Sequence, residues 1–327
     1  MATGKDVADL AGTSTAVVSY VFNNGPRNVS PNTRERVLQA AARLNYRPNA
    51  LARALSHGRT ASIGLVVPDI ANRFFGELAR ALQGAAATLG DLLLIGDSGL
   101  DAERERAHIA AFAERRVDAT VLVSLSDEPD IAPLTDAGVP VLALQPVPAG
   151  SRLSSLSVDY RRAARAMTMH LIDHGYDSIA LLSSDGDSAG VRQHRSGFRA
   201  AVRAAGRELT ATEIRSPISR AETAEVFAAV LSSGHHPRAV YCTTDEQAHG
   251  VLFACARAGL RVPADVAVTG FDATEHSAFS WPPLTSVRQP IDDLAESALE
   301  MLRRGPEPTH GTVPFELVVR DSCGPHD

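Results

Sequence analysis

Cysteine is scarce in this chain. The three present, Cys242, Cys255 and Cys323, show no CxxC spacing and no histidines at zinc-ligand intervals, which argues against a disulfide framework and against a metal centre. No apolar run approaches the ~18 residues of a membrane span. The first residues carry Lys5, Asp6 and Asp9 in place of an apolar leader, so the expected compartment is the cytoplasm. A GxxxxGK phosphate loop and a strand-linked GxGxxG are both missing, and no low-complexity tract or short tandem repeat occurs. What is left is an ordinary globular composition, 44% hydrophobic and 21% charged over 327 residues, enough for two or three domains with a real core.

The net charge of −6 hides an asymmetry. Residues 1–60 hold eight Lys/Arg (Lys5, Arg27, Arg34, Arg36, Arg43, Arg47, Arg53, Arg59) against three acids (Asp6, Asp9, Glu35), a balance of +5, so the rest of the chain carries −11. A small basic head on an acidic body implies that the head alone meets a polyanion, because the body is repelled from it.

The head reads as all-helical. A first helix over about residues 4–11 ends at Gly12, a residue suited to the left-handed cap. Ser14 is a good N-cap for a second helix, although Val17 in place of Glu or Gln rules out a full capping box. That helix puts Val17, Val18, Val21 and Phe22 on one side and Thr15, Ala16, Ser19, Tyr20 and Asn23 on the other. Ser30 and Pro31 start a third helix running to about Asn45, with Val37, Leu38, Ala41 and Leu44 turned inward, and residues 46–48 break it. Two short helices about a tight glycine turn form a helix-turn-helix, whose second helix lies in the DNA major groove. In that reading Ser14, Ser19 and Asn23 bond phosphate oxygens while Thr15, Ala16 and Tyr20 point at base edges. The competing reading is a plain three-helix core whose polar face meets water; the +5 head favours DNA.

From Ser62 onward, apolar runs at residues 62–68, 91–96, 119–124, 139–144, 178–183, 238–242 and 265–271 alternate with stretches of helical period. Continuous apolar runs indicate strands covered on both faces, hence an α/β fold of parallel sheets flanked by helices. A break near residues 157–159 divides the body into two similar lobes, whose facing carboxyl ends create a cleft.

The segments KDVADLAGTS, VSxVFN, VSPNTRERVLQAA, LNYRPNALARAL, GLVVPDIANRFF, ERRVDA, VDY, HLIDHGY, SGFRAAV, TTDEQAHGVL, GLRVPADVAVTGFD and PPLTSVRQP together resemble the lactose-repressor (LacI/GalR) family of bacterial transcription regulators along essentially the whole chain. The resemblance implies a DNA-binding head over residues 1–48, a hinge helix and linker over 49–61, and a two-lobed core resembling periplasmic binding proteins over 62–327. Its lobes would span about 62–158 with 289–318 and about 159–288 with 319–327. It further implies DNA contacts at Ser30, Thr33, Tyr46, Asn49 and Ala52, with Leu55 of the hinge helix wedged into the minor groove. Effector contacts are implied at Asn72, Phe74, Phe75 and Leu78 on the first lobe and at Asp159, His194, Thr244 and Asp272 around the cleft. The implied partners are operator DNA, a second copy of the chain and a small-molecule effector such as a sugar or nucleoside, with no cofactor and no membrane.

Three departures qualify this. Tyr20 stands where many members carry an arginine, removing a bidentate guanine reader. His194 replaces a family arginine and Thr244 a frequent asparagine, which puts a sugar effector in doubt. Phe74 and Phe75 read equally well as core. Two other readings stay open: a regulator whose cleft is vestigial or holds a protein partner, and a serine hydrolase. The latter rests on residues 186–190, GDSAG, which place Ser188 in a nucleophile-elbow pattern with Asp272 and His276 or His310 following in order. Against it, no oxyanion segment precedes the pattern. His170 and His174 share a helix face four residues apart, but with no third ligand near them in sequence they read as solvated. The chain ends without apolar heptads, so a dimer is expected rather than a tetramer.

Overall fold

A computed structural model describes residues 2–23, 28–47, 58–305 and 307–325. The expected hinge positions Asn49, Ala52 and Leu55, and the side chain of Asn23, lie outside the described residues. The chain divides into two compact units, Met1–Ser62 and Ile63–Asp327.

The first unit is helical. α1 (Gly4–Ala11) opens with a reciprocal cap in which the Thr3 hydroxyl accepts the Asp6 N–H while the Asp6 carboxylate accepts the Thr3 N–H. This capping box was not anticipated from the sequence. The bonds hold the Asp6 carboxyl below its ordinary value. α1 ends at Gly12, whose φ of +60° a side-chain-bearing residue adopts only at a cost. α2 (Thr15–Asn23) starts from Ser14, whose hydroxyl accepts the Val17 N–H at 3.3 Å. α3 (Pro31–Arg43) starts from Ser30. Val7, Ala8, Ala11, Val18, Val21, Val37, Ala40 and Ala41 form the core. Leu38 was expected inside and is 45% exposed, because the buried stripe of α3 runs through residues 37, 40 and 41 at helical spacing and Leu38 sits one residue off it.

The second unit holds two six-stranded sheets. The chain runs β1 (Ser62–Val67), α4 (Arg73–Thr88), β2 (Leu92–Asp97), α5 (Ala102–Glu114), β3 (Ala119–Leu122), α6 (Ala132–Asp136), β4 (Val141–Ala143) and β5 (Ser154–Val158). It then crosses to the second lobe with α7 (Tyr160–Asp173), β6 (Ser178–Ser183), α8 (Ala189–Ala204), β7 (Thr210–Arg215), α9 (Arg220–Ser232), β8 (Ala239–Cys242), α10 (Asp245–Arg257), β9 (Ala267–Asp272), α11 (Glu275–Ala278) and β10 (Thr285–Arg288). α12 (Ile291–Arg303) and β11 (His310–Val313) return to the first lobe, and β12 (Glu316–Val318) and a 3-10 turn (Asp321–Cys323) go back to the second. The sheet orders are β11-β5-β4-β3-β1-β2 and β12-β10-β9-β8-β6-β7. β1 pairs in parallel with β3 (Leu65 opposite Val121) and β6 with β8 (Leu181 opposite Tyr241), whereas β12 runs antiparallel to β10. The last crossing falls between Val313 and Glu316, a few residues before the position expected near 318.

The continuous apolar runs have a direct cause. In β6, Ile179 and Leu181 face one core cluster while Ala180 and Leu182 face another, so the strand is buried from Ile179 onward. The sheet of the first lobe is covered in the same way. Among the described residues no helix is long and apolar enough to cross a membrane.

Candidate functional site: an exposed helix face and an interlobe cleft

In the helical unit, burial divides α2 as its periodicity demands. Val18 and Val21 are buried, while Ser14, Thr15, Ala16 and Ser19 are exposed and Tyr20 is half-buried. These residues therefore share one accessible face at the amino end of α2. Ser30 is exposed, but its hydroxyl is engaged in capping α3, accepting the Thr33 N–H at 3.3 Å and lying 2.9 Å from the Thr33 hydroxyl. Tyr46 packs edge-on to Phe22 at 5.8 Å, which commits its ring to the head core and leaves the hydroxyl as its polar end.

In the second unit, parallel strands end where helices begin, so helix amino termini gather at the cleft. Asn72, Ser188 and Thr244, the N-caps of α4, α8 and α10, all line one cavity of about 140 Å³. Each cap is engaged: Asn72 Oδ1 accepts the Phe74 N–H at 3.0 Å, Ser188 Oγ the Val191 N–H at 3.5 Å and Thr244 Oγ1 the Gln247 N–H at 3.2 Å.

The walls are aromatic. Phe74 and Phe75 meet edge-on at 5.3 Å on one side. On the other, Tyr160, His194 and Phe271 pack against one another, tilted or edge-on, at 4.8–5.0 Å. Tyr160 comes from the first residue of α7 and His194 from α8, and the two helices pack closely because of Gly197: a Cβ there would lie 2.2 Å from the Arg161 carbonyl oxygen. Burial alone pushes the His194 imidazole down to about 3, so the ring is neutral. Its Nδ1 lies 2.9 Å from the Tyr241 hydroxyl, leaving Nε2 as the nitrogen with which it can meet a ligand. Asp272 ends β9 at φ +117°, a sparsely used backbone conformation, and accepts a hydrogen bond from Gln289 Nε2 at 2.8 Å. Burial, and next the charge of Asp245, push its carboxyl well above the ordinary range. Among the described residues lining this cavity there is no Lys or Arg.

Two expected contacts are corrected. Leu78 is 1% exposed and belongs to the core of the first lobe, because it lies a turn behind the cleft-facing end of α4. Asp159 caps α7 through the Arg162 N–H at 2.9 Å and lies outside the cavity; the next residue, Tyr160, lines it instead. Sequence reasoning also missed Gln145 and Gln289, for which no spacing signal existed. A hydrolase arrangement is not assembled. The Ser188 hydroxyl caps a helix, His194 pairs with Tyr241, His276 Nδ1 lies 3.4 Å from Arg220 and His310 Nδ1 lies 2.9 Å from the Ser155 hydroxyl.

The lobes are also bridged across the cleft. Arg73 pairs with Glu275, and Glu77 Oε1 accepts the Glu275 N–H at 3.2 Å. Asp127 pairs with Arg192 at 2.7 Å and accepts the Ala189 N–H.

Comparison with known proteins fits both halves. Residues 3–49 match the family described as bacterial regulatory proteins, lacI family, and residues 168–323 match the periplasmic binding protein-like domain. The HTH-type transcriptional repressor PurR of Vibrio vulnificus is 34% identical over 98% of both chains, and catabolite control protein A of Priestia megaterium 32% identical over 91% of both. A lac repressor dimer solved with operator and the anti-inducer ONPF superposes with a TM-score of 0.88 at 27% identity, covering 99% of each chain.

Proposed function

Because the chain belongs to the lacI family of bacterial regulatory proteins, we propose that it is a DNA-binding repressor acting as a dimer, with each head reading one half-site of a pseudo-palindromic operator. The observation that carries this reading is the division of α2, with an apolar face buried on α1 and α3 and Ser14, Thr15, Ala16, Ser19 and Tyr20 left on an accessible face of a basic unit. Thr15 and Ala16 suit thymine methyl groups, and the hydroxyls of Ser14 and Ser19 suit phosphate oxygens.

A second copy has a surface to cover. β2 is an edge strand with Leu92 71% and Ile95 45% exposed, and Phe279 and Trp281 are also exposed.

The cleft suits one compact, uncharged, ring-shaped effector. A volume of about 140 Å³ resembles the ~150 Å³ cavity that takes benzene in another protein, so it accommodates one ring. Two aromatic walls can stack that ring, helix amino termini and Gln289 offer hydrogen bonds, and the absence of Lys and Arg among the described lining residues disfavours carboxylates and phosphates. Such a molecule regulates only by binding one lobe arrangement better than the other.

The test is selection of bound duplexes from a random pool by the full-length protein. A palindromic consensus supports the reading, and no enrichment at moderate ionic strength overturns it. For the effector, a thermal-shift screen of sugars, nucleosides and acidic metabolites should show stabilisation by uncharged ring compounds, about 2.7 kcal/mol at 100 times the dissociation constant. If no small molecule stabilises the core, the cleft serves a protein partner or nothing.

A further inference from the structure

We propose that His170, His174 and Cys323 form a binding site for a thiophilic divalent metal ion, zinc being the reference case, which fastens the carboxyl-terminal 3-10 turn to the end of α7. The sequence offered the histidine pair no third ligand; the fold supplies one from 153 residues away. One ligand atom from each of the three residues lies within 4.8 Å of the other two, and His170 Nε2 is 3.2 Å from Cys323 Sγ. Around a tetrahedral zinc with bonds of about 2.0–2.3 Å, ligand atoms stand roughly 3.4–3.6 Å apart, so small side-chain rotations would close the set on an ion.

Four features favour a cation there. His170 and His174 are four apart on one helix face, the spacing with which two imidazoles reach one ion. His170 lies in the last turn of α7 and His174 is its C-cap, where the helix dipole presents its negative end. The thiol is already placed, with Thr285 Oγ1 3.0 Å from Cys323 Sγ and the Tyr176 hydroxyl donating to the Cys323 carbonyl at 3.1 Å, an arrangement of outer partners that orients a ligand. The thiol is buried whereas both imidazoles are partly exposed, so an ion has an entry path. Imidazole and thiolate together select zinc over the harder magnesium and calcium. Binding forms an S–metal bond in place of the S–H bond of Cys323, and the released proton goes to buffer. Three protein ligands leave one coordination position for water.

The experiment uses the full-length protein stripped with chelator and titrated with Co²⁺ as the spectroscopic probe, then with Zn²⁺. A thiolate-to-cobalt charge-transfer band saturating at one ion per chain, and bleached by Zn²⁺, is expected. Cys323→Ser should abolish the band, Cys255→Ala should keep it, and His174→Ala should weaken cobalt binding about ten-fold or more. Zn²⁺ should raise the melting temperature of the parent protein and leave that of Cys323→Ser unchanged. The proposal fails if the folded parent protein gives no band, or if the band survives in Cys323→Ser. Should Cys323→Ser not fold, a band retained in the double variant His170→Ala/His174→Ala overturns it equally.

Discussion

His194 shows how far one residue can redirect a site. The chain buries an imidazole at the cleft, and burial holds it neutral down to about pH 3. The unfolded chain protonates this ring near its ordinary value of 6.5, so below that pH it binds a proton that the folded state refuses. Stability is therefore lost as pH falls from about 6.5 towards 3, by at most about 1.4 kcal/mol per pH unit from this group. Urea midpoints of the parent protein and His194→Phe should diverge between about pH 7 and pH 5, with the parent losing ground at the acid end. Parallel curves would show that the ring is solvated. On the face of α2 proposed to meet DNA the corresponding residue is Tyr20. Tyr20→Ala should change which operator is preferred more than it changes affinity for non-specific DNA, as measured by binding to variant operators. Equal weakening on every sequence would remove it from base reading.

Among the elements, the α7/α8 pair sets the geometry of the cleft, since one helix carries Tyr160 and the other His194. Their contact depends on Gly197, where a Cβ would meet the Arg161 carbonyl at 2.2 Å and the Ala164 Cβ at 2.8 Å. In an open helix Gly→Ala stabilises by about 0.4–1 kcal/mol. Here the sign should reverse, to a loss of about 1–3 kcal/mol in urea unfolding, accompanied by weaker binding of any ligand found by thermal shift. The elements also show why the chain was unevenly legible. The inner strands β1, β3, β6, β8 and β9 bury both faces and announced themselves as apolar runs. β7 (TATEIR) is an edge strand with mostly exposed residues, and β5 (SSLSV), β10, β11 and β12 carry polar or short segments, so none left a periodic signal.

For the whole molecule, the decisive feature is the separation into two units with separate cores. Removing residues 1–60 should abolish retention on operator DNA in a mobility-shift assay, while the core keeps a cooperative unfolding transition and its ligand-induced thermal shift. Loss of both together would mean that the core does not stand alone. The cross-lobe pairs Arg73–Glu275 and Asp127–Arg192 belong to this scale too. They join residues far apart in the chain, and their exposed positions leave each pair screened by solvent and weak. Their weakness allows an effector's differential affinity to outweigh them.

By itself the sequence determined the classes of element, the basic head, the outward face of α2 and the two-lobed core, because these follow from charge composition and local periodicity, which act over a few residues. Only the tertiary structure decided that Tyr160 and not Asp159 lines the cleft, that Leu78 belongs to the core, and that Cys323 sits against His170. Those outcomes depend on helix rotation and on the pairing of strands distant in sequence, neither of which leaves a trace in local spacing.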